Sequence, residues 1–165
     1  MTQDQLVLPA TVVSKADVSR LAIELERVDS EMTAAAVRTK QGIVGQEGSA
    51  ISDRLREFIE QNTVALEDSR TRTDTIKSLR SLKEKVPVIH MTFASVAEPE
   101  SLQLLTRWLR TSIHPQAVLE VGLQPSLVAG VYLRTPNHVH DFSLRAVLES
   151  QRDLLVQDLE SYRGN

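Results

Sequence analysis

Val86-Pro87-Val88-Ile89-His90-Met91-Thr92-Phe93 is the stretch at which the chain changes character. Before it, apolar residues recur at the three- and four-residue spacing of helices. From Val88 the pattern reads as a buried strand. Proline lacks an amide hydrogen and disfavours helix at the residue before it, so Val86-Pro87 stops the helical part. The expected architecture is α+β: a helical N-terminal domain over residues 1–86, then a small domain over residues 87–165 with a mixed sheet and packed helices.

Upstream, Leu6-Val7-Leu8-Pro9 is a short apolar lead-in. Ser14, with Asp17 three residues on, reads as a helix start. Val18, Leu21, Ile23, Leu25, Val28 and Met32 predict a helix over 15–39. Gly42, Gly45 and Gly48 end it in a flexible connection. Ser49 or Ser52 can cap a second helix over 49–62, with Ile51, Leu55, Phe58 and Ile59 as its stripe. A third carries Leu66, Ile76, Leu79 and Leu82. Its polar stretch from Asp68 to Thr75 has little helix propensity and predicts a break or frayed turn.

Downstream, Glu98-Pro99-Glu100 opens a fourth helix with Leu102, Leu105, Trp108, Leu109 and Ile113, ending before Pro115. Strands are expected over 118–123, 128–134 and 139–141, with a tight turn at Thr135-Pro136-Asn137. One last helix over 142–162 carries Leu144, Val147, Leu148, Leu154, Leu155 and Leu159. Leu144, Leu148 and Leu155 are expected to pack on the sheet. Val147 and Leu154 are the candidate partner-binding residues.

The 165 residues hold 19 basic and 22 acidic side chains, a net charge of −3 spread over both halves, which argues against nucleic acid as the main ligand. The absence of cysteine excludes disulfides, thiolate metal sites and a cysteine nucleophile. The N-terminus lacks the basic and apolar regions of a signal peptide. No apolar run reaches the length of a spanning helix, so any membrane association is expected to be indirect.

No glycine-rich phosphate loop, dinucleotide fingerprint or nucleophile elbow is present. No catalytic residue, cofactor or metal is expected. His138 and His140 alternate on one face of a strand, but Asp141 points to the other, which argues against a third metal ligand. His90 reads as half-buried and hydrogen-bonded, His114 as a helix end, Glu24 and Glu26 as a solvated face, and Trp108 as core.

One stretch is more specific. Gln124-Pro125-Ser126-Leu127-Val128-Ala129-Gly130-Val131 runs into Tyr132-Leu133-Arg134, and Val139-His140-Asp141-Phe142-Ser143-Leu144-Arg145 follows. Over residues 76–160 the chain resembles the delta subunit of the F-type ATP synthase peripheral stalk, whose mitochondrial relative is the oligomycin-sensitivity-conferring protein. The family pattern is an acidic-Pro-Ser-Leu-Ile-Gly-Gly-Val run, a hairpin, then Asp-Gly-Ser-Val-Arg opening the last helix. Pro125, Ser126, Leu127, Gly130, Asp141, Ser143 and Arg145 carry the match, while Gln124, Ala129 and Phe142 depart from it. Gly130 permits a bulge or a close backbone approach. Asp141 or Ser143 can cap the last helix. Arg145, badly placed for the helix dipole, calls for a partner elsewhere.

The resemblance implies a non-catalytic stalk subunit that links b-type stalk subunits to the catalytic head. The family grips the head, by the alpha subunit N-termini, with a six-helix N-terminal bundle. Only three or four helices are evident here. It implies a cytoplasmic protein held at the inner face of the membrane through the complex. A V-type ATPase E-like stalk subunit is the nearest alternative, although Gly42, Gly45 and Gly48 do not suit its long unbroken helix. An unrelated helical adaptor or regulatory protein is a third reading.

Overall fold

Ser14 and Asp17 form the reciprocal cap their spacing predicts. The Ser14 hydroxyl accepts from the Asp17 amide at 3.2 Å, and the Asp17 carboxylate accepts from the Ser14 amide at 2.9 Å. The computed structural model describes residues 6–40, 50–135 and 137–163. The glycine-rich connection lies outside them, as do Ser49 and Pro136.

Helix α1 is Lys15–Lys40, α2 Asp53–Asn62 and α3 Ser69–Lys85. Ser52 caps α2 by accepting from the Leu55 amide, and Thr63 ends it in the left-handed region at φ 50°. The break expected over Asp68–Thr75 is absent. Asp68 is itself the N-cap of α3, accepting from the Arg70 and Thr71 amides. Tertiary packing overrides weak propensity here: Thr75 is 2% exposed, and Arg72, at 4%, donates to Asp29 of α1 at 2.5 Å. Leu66 lies before the helix rather than in it.

Contacts divide the chain into residues 1–87 with 102–118, and residues 88–101 with 119–165. A single boundary at 86/87 does not describe this division, because the segment 102–118 belongs with the N-terminal helices.

In the first unit, Val18, Leu21 and Leu25 of α1, Leu55 and Phe58 of α2, and Leu79 and Leu82 of α3 form the core. Leu109 is also buried in this unit; it lies on α4, Pro99–Ser112. Polar ties fix the helices. Glu24 accepts from the Ser52 amide and hydroxyl, both at 2.7 Å. Glu26 pairs with Arg80 at 2.7 Å, and Asp17 with Arg54 at 3.0 Å. Glu24 and Glu26 are therefore inter-helix ties, not a merely solvated face.

The second unit is built on a four-stranded mixed sheet in the order β2-β1-β3-β4. The strands are β1 Val88–Phe93, β2 Val118–Leu123, β3 Gly130–Arg134 and β4 Val139–Ser143. β3 pairs antiparallel with β1, Met91 opposite Leu133, and with β4, Leu133 opposite His140. β1 alternates: Ile89 and Met91 are buried while His90 faces out. It is a half-buried strand, where the sequence read as a buried one. β3 begins at Gly130 instead of Val128, because Pro125–Leu127 forms a 3-10 turn first. The single last helix is two, α5 Leu144–Ser150 and α6 Arg152–Arg163, separated at Gln151.

Candidate functional site

The residues that carry the resemblance occupy one connected piece of backbone. Pro125 opens the 3-10 turn, and Gln124 anchors it by donating its amide to the Phe93 carbonyl at 2.8 Å. Ser126 is exposed; its hydroxyl accepts from the Gln124 side chain at 3.0 Å. Leu127 is buried, at 2% exposure. The chain then passes through Val128 at φ 66° and Gly130 at φ 91°. A Cβ on Gly130 would stand 2.3 Å from the Phe142 carbonyl oxygen. Only glycine fits there, for backbone conformation and for space.

Of the two candidate caps, Ser143 is the one used. Its buried hydroxyl accepts from the Ala146 amide at 3.2 Å. Asp141 instead accepts from the Ser143 amide at 2.9 Å, one step upstream. Hydrogen bonding from Ser143 chiefly holds the Asp141 carboxyl below its ordinary value, with Arg145 helping. The partner expected elsewhere for Arg145 is on its own helix: Glu149, one turn on, at 3.8 Å.

The packing on the sheet expected of Leu144 and Leu148 does not occur. No residue of α5 is buried; Leu144 is 41% and Leu148 46% exposed. Val147 is 49% exposed and Leu154 63%. The side chain of Leu155 lies outside the described residues. α5 is a seven-residue helix, so its apolar positions exceed what so short a contact with β4 can cover. Val156 and Leu159 of α6 are exposed too, as are Val139 and Phe142 of β4. This unit therefore leaves apolar side chains of β4, α5 and α6 exposed.

The histidines separate into engaged and free. His90 is exposed, not half-buried, and its Nδ1 lies 3.2 Å from Glu120 on the neighbouring strand. Val88, His90, Arg134 and Thr135 line a shallow open depression of about 290 Å³. His114 Nδ1 accepts from the Gln116 amide at 3.1 Å. His138 and His140 share a face, with ring centroids 6.1 Å apart. Among the described residues no three His, Cys, Asp or Glu side chains cluster as a metal site. Trp108 is 57% exposed, so the reading of it as core is corrected.

The most elaborate polar arrangement was not read from sequence. In the first unit the Arg110 guanidinium donates to four carbonyls: Leu8 at 2.9 Å, Pro9 at 2.7 Å, Val12 at 2.5 Å and Ala117 at 3.1 Å. Asn62 exchanges two hydrogen bonds with the Val7 backbone, each 2.8 Å, and the Gln116 side chain donates to the Leu6 carbonyl at 3.0 Å. Residues 6–12 thus form a strap. Burial lowers the Arg110 pKa to about 10, which leaves it charged at neutral pH. Nothing in an amphipathic helix announces a partner 102 residues away.

Fold and surface together define a class: a two-unit α+β chain whose sheet-bearing unit ends in two short helices with exposed apolar side chains. Beyond that class, no known protein-family model and no curated protein matches the chain. No helix among the described residues is long and apolar enough to cross a membrane.

Proposed function

We propose that the chain is a non-catalytic peripheral-stalk subunit of a rotary F-type ATP synthase. It joins b-type stalk subunits to the catalytic head and meets the membrane only through the complex. The observation that carries this reading is the segment from Pro125 to Arg145. Its single tolerated glycine, its hairpin and its serine-capped helix stand in the order of the delta-subunit pattern. The exposed apolar side chains of α5 and α6 supply what a helical partner needs, a few apolar anchors at helical spacing. Contact with alpha subunit N-termini would fall to the first unit, whose helices α1 to α3, the larger part of α4 and the strap are a smaller platform than the family's bundle.

Val147→Asp and Leu154→Asp test the reading. Both side chains are exposed, so each variant should keep the far-ultraviolet circular dichroism of the parent. Each should lose capture of co-expressed b-type stalk subunits. If both fold and capture those subunits as well as the parent does, the proposed interface is wrong. Failure of the parent itself to capture them would favour the adaptor reading.

A further inference from the structure

Two exposed imidazoles on β4 and its turn are placed as a chelate. His138 and His140 lie two residues apart and share one face of the hairpin, their ring centroids 6.1 Å apart with planes inclined by 35°. Their backbone is held in place. The Thr135 amide donates to the His138 carbonyl at 2.8 Å, and the His138 amide donates to the Thr135 hydroxyl at 3.0 Å. His140 is fixed opposite Leu133 in the ladder, and its ring stacks on Phe142 at 5.7 Å with planes 14° apart. Beyond these ring contacts, no hydrogen bond or ion pair engages either imidazole among the described residues.

The geometry points to a two-ligand site for a borderline divalent transition cation such as Zn²⁺, Ni²⁺ or Cu²⁺. Imidazole nitrogen suits these ions and not Mg²⁺ or Ca²⁺, which take oxygen ligands. An ion held by both rings would take one nitrogen from each at the usual Zn–N distance of about 2.0–2.1 Å. The preformed hairpin removes much of the ordering cost that two histidines on a flexible chain would meet. Asp141 is not a third ligand. It faces the other way, opposite Tyr132, and its carboxylate is engaged by the Ser143 amide. Water fills the remaining coordination positions, so the site is exchangeable rather than structural. His114 is occupied by the Gln116 amide; His90 beside Glu120 is the one rival donor set among the histidines. This inference does not depend on the stalk reading.

The test uses the full chain, freed of metal with a chelator and titrated with Zn²⁺ alone by calorimetry. His138→Gln and His140→Gln are compared with His90→Gln and His114→Gln, all checked for fold by circular dichroism. The expected result is saturable binding of one ion per chain. Either β4-side variant should weaken it by more than about tenfold, the scale at which even outer-shell partners of a metal matter. The His90 and His114 variants should bind as the parent does. Absence of saturable binding in the parent, or binding that survives both His138→Gln and His140→Gln, overturns the assignment. Loss confined to His90→Gln also overturns it and moves the site to His90 and Glu120.

Discussion

Arg110→Met removes the guanidinium that holds the strap and keeps most of the apolar stem. Four carbonyls lose a charged donor: those of Leu8, Pro9, Val12 and Ala117. At about 1.5–3 kcal/mol for a hydrogen bond to a charged group, the gross loss is about 6–12 kcal/mol. Taking a cation out of water costs several kcal/mol, and the variant is relieved of that term. The net destabilisation should be about 2–4 kcal/mol, a large share of the roughly 5–15 kcal/mol that holds a domain folded. Urea denaturation followed by circular dichroism measures it. Hydrogen exchange then locates it: amides in residues 6–12 should exchange faster, while those of α1 and α3 facing each other keep their protection. A change within about 0.5 kcal/mol, with unchanged exchange in the strap, would mean that the cage of carbonyls holds nothing together.

Gly130→Ala should cost at least about 2 kcal/mol, because an L side chain is strained at φ 91° and its Cβ meets the Phe142 carbonyl at 2.3 Å; a thermal melt indistinguishable from the parent's would contradict this. Acid should destabilise the first unit through Asp17. Burial alone would raise its carboxyl, but hydrogen bonds from Ser14 and the Arg54 charge outweigh burial and hold it below 3.8. Its contribution is therefore complete above the unfolded value of 3.8 and is lost as pH falls through the lower folded value. Asp17→Asn should flatten the dependence of stability on pH in that acid range, and an unchanged slope there would refute the assignment.

Much of the architecture was legible where local chemistry is decisive. The helix start at Ser14, the stop at Val86-Pro87 and the strands Val88–Phe93 and Val118–Leu123 all follow from caps, proline and pattern. Asp68–Thr75 was not legible, because Arg72 finds Asp29 and the threonines find their own helix backbone: Thr73 donates to the Ser69 carbonyl and Thr75 to that of Thr71. The division of the last helix at Gln151 has no proline or glycine to signal it. In the candidate site, the need for glycine at position 130 and a polar cap near Ser143 could be read. The exposure of Leu144, Leu148 and Trp108 could not, since an apolar stripe looks the same whether it is covered by its own chain or by nothing.

The membership of residues 102–118 in the first unit has a consequence during synthesis. Leu109, Ala117 and Val118 belong to that unit's core, and Arg110 holds its strap. Translation emits the chain at about 5–20 residues per second. While only the first 87 residues have left the ribosome, the helices α1 to α3 can pair and Asn62 can hold Val7, but the strap lacks Arg110 and Gln116. The whole sheet strand β1 must emerge first, and the unit can be sealed only after the ribosome has made residue 118. Residues 1–87 are thus completed by a segment made after β1. Nascent chains stalled before that point should present the apolar faces of Leu6, Leu8 and Val12 to whatever receives them at the tunnel exit.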